Sequence, residues 1–99
     1  MTFNDNTKPI NWNEAKNQWL KINRDVSFED VLVCLNEGLV LDNLKHPNQQ
    51  KYQGQRILVV LIRQYVYLVP YVESETEYFL KTIIPSRKAT TKKYLKLKE

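Results

Sequence analysis

Cysteine, glycine and histidine are scarce in this chain, and each scarcity removes a class of chemistry. Cys34 is the only cysteine, which excludes a disulfide within the chain, argues against a thiolate zinc site and points to a reducing compartment, with the cytoplasm as the default. Gly38 and Gly54 are the only glycines, so there is no glycine-rich loop of the kind that wraps nucleotide phosphates. His46 is the only histidine, and no group of His, Cys, Asp and Glu has metal-ligand spacing. Nucleotide hydrolysis and metal catalysis are therefore disfavoured, and no cofactor is expected. Long apolar runs are missing as well. Residues 57–62, Ile-Leu-Val-Val-Leu-Ile, fall far short of the roughly 20 residues that a membrane span needs. The polar N-terminus carries no signal-peptide pattern, so the expectation is a protein neither secreted nor membrane-spanning.

What is present suits a small folded domain. A hydrophobic share of 42% with 26% charged residues argues against both disorder and a coiled-coil composition. A chain of 99 residues can bury one modest core. Residues 1–9 are polar and read as a frayed tail, residues 10–99 read as a single domain, and neither an internal repeat nor a low-complexity segment is found.

Charge is distributed unevenly. Residues 81–99 hold seven of the fifteen Lys and Arg and one acid, a net of +6, whereas residues 1–80 carry a net of −2. A basic patch confined to one element favours phosphate neutralisation and counterion release, so nucleic acid is the leading partner class, ahead of acidic protein or anionic lipid. The bland reading is a lysine-rich helix whose charges serve solubility. The start of that helix weighs against it. If Ser86 or Thr90 is the cap, then Arg87 and Lys88, or Lys92 and Lys93, fall in the first turn, where the macrodipole disfavours each cation by about 0.3–1 kcal/mol unless an anion sits there.

Along the chain, residues 10–12 suggest a short strand. Residues 13–23 space Ala15, Trp19, Leu20 and Ile22 for a helix capped by Asn13. Residues 26–38 form the clearest helix, with Ser27 as cap, Glu29 and Asp30 in the first turn and Gly38 as the stop. Its apolar positions Phe28, Val31, Leu32, Cys34 and Leu35 call for a covering sheet. Residues 39–41 read as a short strand and residues 42–54 as a polar loop. Strand patterns follow over residues 55–62, 65–72 and 78–84. Arg63-Gln64 lacks the Gly or Asn of a tight hairpin, which predicts a longer or distorted turn. Pro70 argues for an edge or a bulge in its strand, and Pro85 for the end of pairing in the last one. The predicted class is α+β: a small antiparallel meander with two N-terminal helices packed on it and a basic C-terminal helix.

Three segments in this order, Trp12-Asn-Glu-Ala-Lys16, Val26-Ser-Phe-Glu29 and Ile84-Pro-Ser-Arg-Lys-Ala-Thr90, resemble the BrnT family of bacterial toxins. The resemblance covers nearly the whole chain after residue 9. It implies a RelE-like fold and a ribonuclease toxin of a type II toxin–antitoxin pair, in the bacterial cytoplasm. It also implies a cognate antitoxin that carries a DNA-binding ribbon-helix-helix or similar domain, with operator DNA contacted only through that antitoxin. Carried over residue by residue, Trp12 and Lys16 match the opening segment, Arg63 matches a basic residue ending a central strand, and Arg87 with Lys88 match the basic pair after the last strand. The chain departs from the pattern before Val26, where Asn23-Arg24-Asp25 stands in place of a Lys-His-Gly that relatives often carry.

Metal-independent RNA cleavage by in-line attack of a ribose 2′-OH needs a proton acceptor, a proton donor and cations for the transition state. The candidate catalytic residues are Arg63, Arg87, Lys88 and His46. Lys16, Lys51, Arg56, Lys92 and Lys93 are the candidate nucleic-acid contacts. Tyr52 and Tyr78 are further candidates for proton transfer, and a histidine beside a proline in a loop is more commonly structural. Tyr65, Tyr67 and Tyr71 share a strand face by alternation, either to stack on bases or to pack under a helix. Trp12 and Trp19 read as core or interface aromatics and Cys34 as core. Tyr94, Leu95 and Leu97 on the last helix would suit an antitoxin groove, and a non-catalytic binding module on the same basic edge is the competing function.

Overall fold

The computed structural model of the chain describes residues 8–90. Residues 1–7 of the tail expected over residues 1–9, and the part of the expected basic helix beyond Thr90, with Lys92, Lys93, Tyr94, Leu95 and Leu97, lie outside the described residues. Strand β1 (Ile10–Trp12) leads into helix α1 (Glu14–Asn23) and helix α2 (Phe28–Glu37), then into β2 (Val40–Lys45), β3 (Gln55–Ile62), β4 (Tyr65–Glu73), β5 (Tyr78–Leu80), β6 (Ile84–Pro85) and a short turn of helix, α3 (Arg87–Ala89). The class is α+β, as the hydrophobic patterning requires. No helix among the described residues is long and apolar enough to cross a membrane.

Both helices start where their caps dictate. The Asn13 side chain accepts from the Lys16 N–H at 3.0 Å. At α2, Ser27 and Asp30 form a reciprocal capping box, and Gly38 ends the helix with a left-handed φ of 73°, a conformation that costs glycine nothing.

The sheet runs β1-β5-β4-β3-β2, with β6 also on β4. It is mixed and not purely antiparallel: β1 pairs in parallel with β5, Ile10 opposite Tyr78 and Trp12 opposite Leu80. A pattern of alternating residues carries no strand direction, so the parallel pair was invisible in the sequence. The expected strand over residues 78–84 is two strands, β5 and β6, both on the same side of β4. Pro70 lies inside this central strand, opposite Ile57, and not at a sheet edge. Its carbonyl accepts from the Lys81 N–H at 2.8 Å. A residue's N and C=O face the same neighbour in a strand, so the N–H that Pro70 lacks falls in the gap between β5 and β6. The polar residues 42–45, expected in a loop, extend β2, whose outer edge is unpaired in the sheet order and so accepts polar side chains.

One face of the sheet meets the helices. Leu20, Val26, Phe28, Val31 and Cys34 pack with Leu58, Val60, Ile62, Val69, Tyr71, Tyr78, Leu80 and Ile83 in one buried cluster. The Trp12 ring stacks on Phe28 at 5.4 Å. Among the described residues Asn17 and Ser27 are the buried polar ones, and Asn17 is fully enclosed. The Asn17 carbonyl oxygen accepts from the Phe28 N–H and its amide donates to Glu29 Oε1, both at 2.8 Å. A side chain of α1 thereby satisfies the first backbone donor of α2 and holds the Glu29 carboxyl below its usual range. Helix starts leave such donors unpaired, and this one is buried.

Asn17→Leu is expected to lower unfolding stability by about 1–3 kcal/mol, the cost of a buried N–H without a partner, read from the urea midpoint at constant slope. Burial pushes the Cys34 thiol up to about 11, so almost no thiolate exists at neutral pH. The native protein should therefore leave a disulfide thiol reagent unreacted until denaturant opens the core, when one equivalent reacts.

Candidate nucleic-acid interface

The hairpin between β3 and β4 closes with only two residues. Arg63 and Gln64 both take left-handed φ values, 48° and 68°, between the paired residues Ile62 and Tyr65. That is the twist a tight hairpin demands, reached without glycine or asparagine. Of the two expected outcomes, a longer or a distorted turn, the chain makes the second: a two-residue turn with both residues at left-handed φ. Left-handed φ costs a non-glycine residue roughly 1–2 kcal/mol, and such strain persists only where surrounding contacts impose it.

Those contacts are visible. Arg63 Nη2 donates to the carbonyl of Asp25, itself at a φ of 56°. Arg63 Nη1 lies 3.7 Å from Asp30 Oδ2, and the same Asp30 oxygen accepts from the Ser27 N–H at 2.9 Å. Arg63 is thus an exposed cation on a strained turn, tied to the junction of the two helices.

The last described turn of chain comes to the same end of β4. The Ser86 N–H donates to the Val66 carbonyl at 3.0 Å. Thr90 Oγ1 accepts from the Val66 N–H at 2.9 Å and donates to the Ser86 carbonyl at 2.8 Å. Ser86 is the cap, accepting from the Ala89 N–H at 3.2 Å, and Thr90 serves as the lock onto β4. Arg87 and Lys88 follow the cap, both exposed, with no acid in that turn. Val66 is three residues from Arg63, about 10 Å along an extended chain, so Arg63, Arg87 and Lys88 gather at one end of the sheet. Arg24 joins them through Asp25, its guanidinium donating to the Ile83 carbonyl at 2.6 Å.

Two tyrosines complete this end. The Tyr65 and Tyr67 rings lie 5.5 Å apart. Burial raises the Tyr67 hydroxyl above its usual range, against the opposing pull of Arg63, which keeps it protonated near neutrality. Tyr71, on the same strand face, is fully buried and its hydroxyl donates to Asn43 Oδ1 at 3.0 Å; it packs under the helices and takes no part in a surface.

The other sequence candidates lie elsewhere. The His46 N–H bonds to Gln55 at the start of β3, and Arg63 follows the end of that strand, roughly 23 Å away at 3.3 Å per residue. His46 Nδ1 accepts from the Asn48 N–H at 3.0 Å, and the ring lies against Tyr52 at 4.2 Å, so it shapes its own loop. Lys51 sits over the Tyr52 ring at 5.3 Å. Arg56 is held on Asn43 by two bonds of 3.0 Å, and Tyr78 is buried. Lys16 lies on α1 beside Trp19. Arg24, Asp25 and Gln64 are not among the site residues that the sequence suggested; the one available signal was two strand patterns abutting Arg63-Gln64 with no room for a longer turn.

Comparison with protein-family models, with characterised proteins and with solved structures finds no match.

Replacing Gln64 by glycine removes one strained residue at the cost of extra chain entropy. Gln64→Gly is expected to raise stability by about 0.5–1 kcal/mol, measured as a higher urea midpoint.

Proposed function

We propose that this chain is a bacterial toxin of the type II toxin–antitoxin kind, built on a RelE-like scaffold, that cleaves RNA without a metal ion and is neutralised by a cognate antitoxin. The observation that carries this reading is the placement of Arg63, Arg87 and Lys88 at one end of the β3–β4 hairpin, the positions that match basic residues of BrnT toxins. Three cations around one phosphate can stabilise the extra negative charge of in-line attack by the 2′-OH. Tyr67, within electrostatic reach of Arg63, carries the hydroxyl at this end that would protonate the leaving oxygen. His46 would stand roughly 23 Å from that phosphate and has no part in the reaction. Antitoxin bound over the same basic end would block RNA by occlusion.

A second reading has one observation in its favour. The guanidinium of Arg63 is already engaged by the Asp25 carbonyl and the Asp30 carboxylate, an arrangement that suits a module binding RNA without cutting it.

Incubating antitoxin-free protein with labelled RNA in EDTA separates the two. The ribonuclease should release fragments ending in 2′,3′-cyclic phosphate, and Arg87→Ala should lower the rate by about 10²-fold, the usual loss for one transition-state charge partner. Bound but intact RNA would move the assignment to the binding module.

A further inference from the structure

Outside the hairpin end, one surface of the molecule joins exposed apolar area to fixed positive charge. On α1, Trp19 is 42% exposed and Ile22 81% exposed, and residues three apart on a helix share a side. Lys16 Nζ lies 4.3 Å and Arg24 Cζ 4.9 Å from the Trp19 ring centroid. Arg24 is held in place a second time by its bond to the Ile83 carbonyl, so its planar guanidinium is fixed beside the indole. The next residue, Asp25, receives Arg63, which makes this surface continuous with the cationic end of the sheet. Trp19 lies outside the buried core cluster and keeps its indole at the surface with Lys16 and Arg24 against it.

We propose that Trp19, Lys16 and Arg24 form a base-stacking subsite for single-stranded RNA on α1, next to the phosphate site at the hairpin; this rests on the RNA reading above. An aromatic ring flanked by cations binds any base by its π face and the adjoining phosphate by charge. Lys16, a point charge on a long flexible stem, can exchange the indole face for a phosphate oxygen and open that face to a base. Arg24, pinned at Ile83, supplies a second flat surface and a charge that does not move. Bases stacked in a duplex cannot present their faces to an indole, so the substrate class is unpaired RNA.

The test uses a labelled 2′-O-methyl oligoribonucleotide of about ten nucleotides, within the span that a small single-strand-binding domain covers; it lacks the 2′-OH and reports binding without cleavage. The full chain should bind it with quenching of Trp19 emission and bind the matching duplex more weakly. Trp19→Ala should weaken binding about tenfold with an unchanged melting temperature, and Trp19→Phe should recover most of the affinity. If the parent binds but Trp19→Ala binds equally well, the subsite is overturned, the RNA reading stands, and the α1 face goes to a protein partner. If the parent fails to bind the oligonucleotide at low salt, both the subsite and the RNA reading are overturned.

Discussion

The two-residue turn at Arg63 and Gln64 is the constraint on which the rest of the structure depends. A hairpin's register is fixed by the length of its turn, and a slip of one residue would send every core side chain of β3 and β4 to the other face. With Ile62 opposite Tyr65, the pairing runs unbroken to Gln55 opposite Val72, and Leu58, Val60, Ile62, Val69 and Tyr71 all meet the helices. Glycine would make this turn without strain. The chain instead carries arginine there, and the interactions of that arginine with Asp25 and Asp30 offset part of the conformational cost. The same residue that strains the turn fastens the sheet to the helices.

A series of short polar links transmits that placement. Asn17 joins α1 to the start of α2. Asp30 serves both the cap of α2 and Arg63. Arg24 binds the end of α1 to the segment between β5 and β6, and Ser86 with Thr90 holds α3 to β4. Each link satisfies a backbone group that would otherwise be left without a partner, and each ends within a few residues of a basic side chain. Cations are thus set on backbone tied by hydrogen bonds to other elements, an arrangement in which charge can act on a phosphate with little reorganisation. At the opposite end of the sheet, Lys51, Arg56 and His46 are occupied with Tyr52, Asn43 and Asn48, which is stabilising work within a loop and a strand end.

Local signals in the sequence located both helices, because caps and glycine stops act over three or four residues. They located β3 and β4 as well, to within one residue, because a nearly continuous apolar run and an aromatic, β-branched one permit little else. They failed where geometry is set by a partner distant in sequence. Residues 42–45 look like loop until β3 supplies their pairing, and the split between β5 and β6 follows from the missing donor of Pro70 on the neighbouring strand. The identity of the basic pair at Arg87 and Lys88 was legible from charge and the Ser86 cap; their placement at the same end of β4 as Arg63 was not, because it depends on the bonds of Ser86 and Thr90 to Val66.

The sequence by itself determined the α+β class, the helix boundaries, the buried place of Cys34 and the concentration of positive charge toward the C-terminal end, all consequences of periodicity, capping chemistry and composition. Only the tertiary structure decided that β1 joins the sheet in parallel, that Trp19 stands outside the core between two cations, and that Arg63 and His46 lie at opposite ends of one strand. Those outcomes depend on strand direction, turn handedness and which face each element buries, and none of these is encoded in any stretch of residues short enough to be read alone.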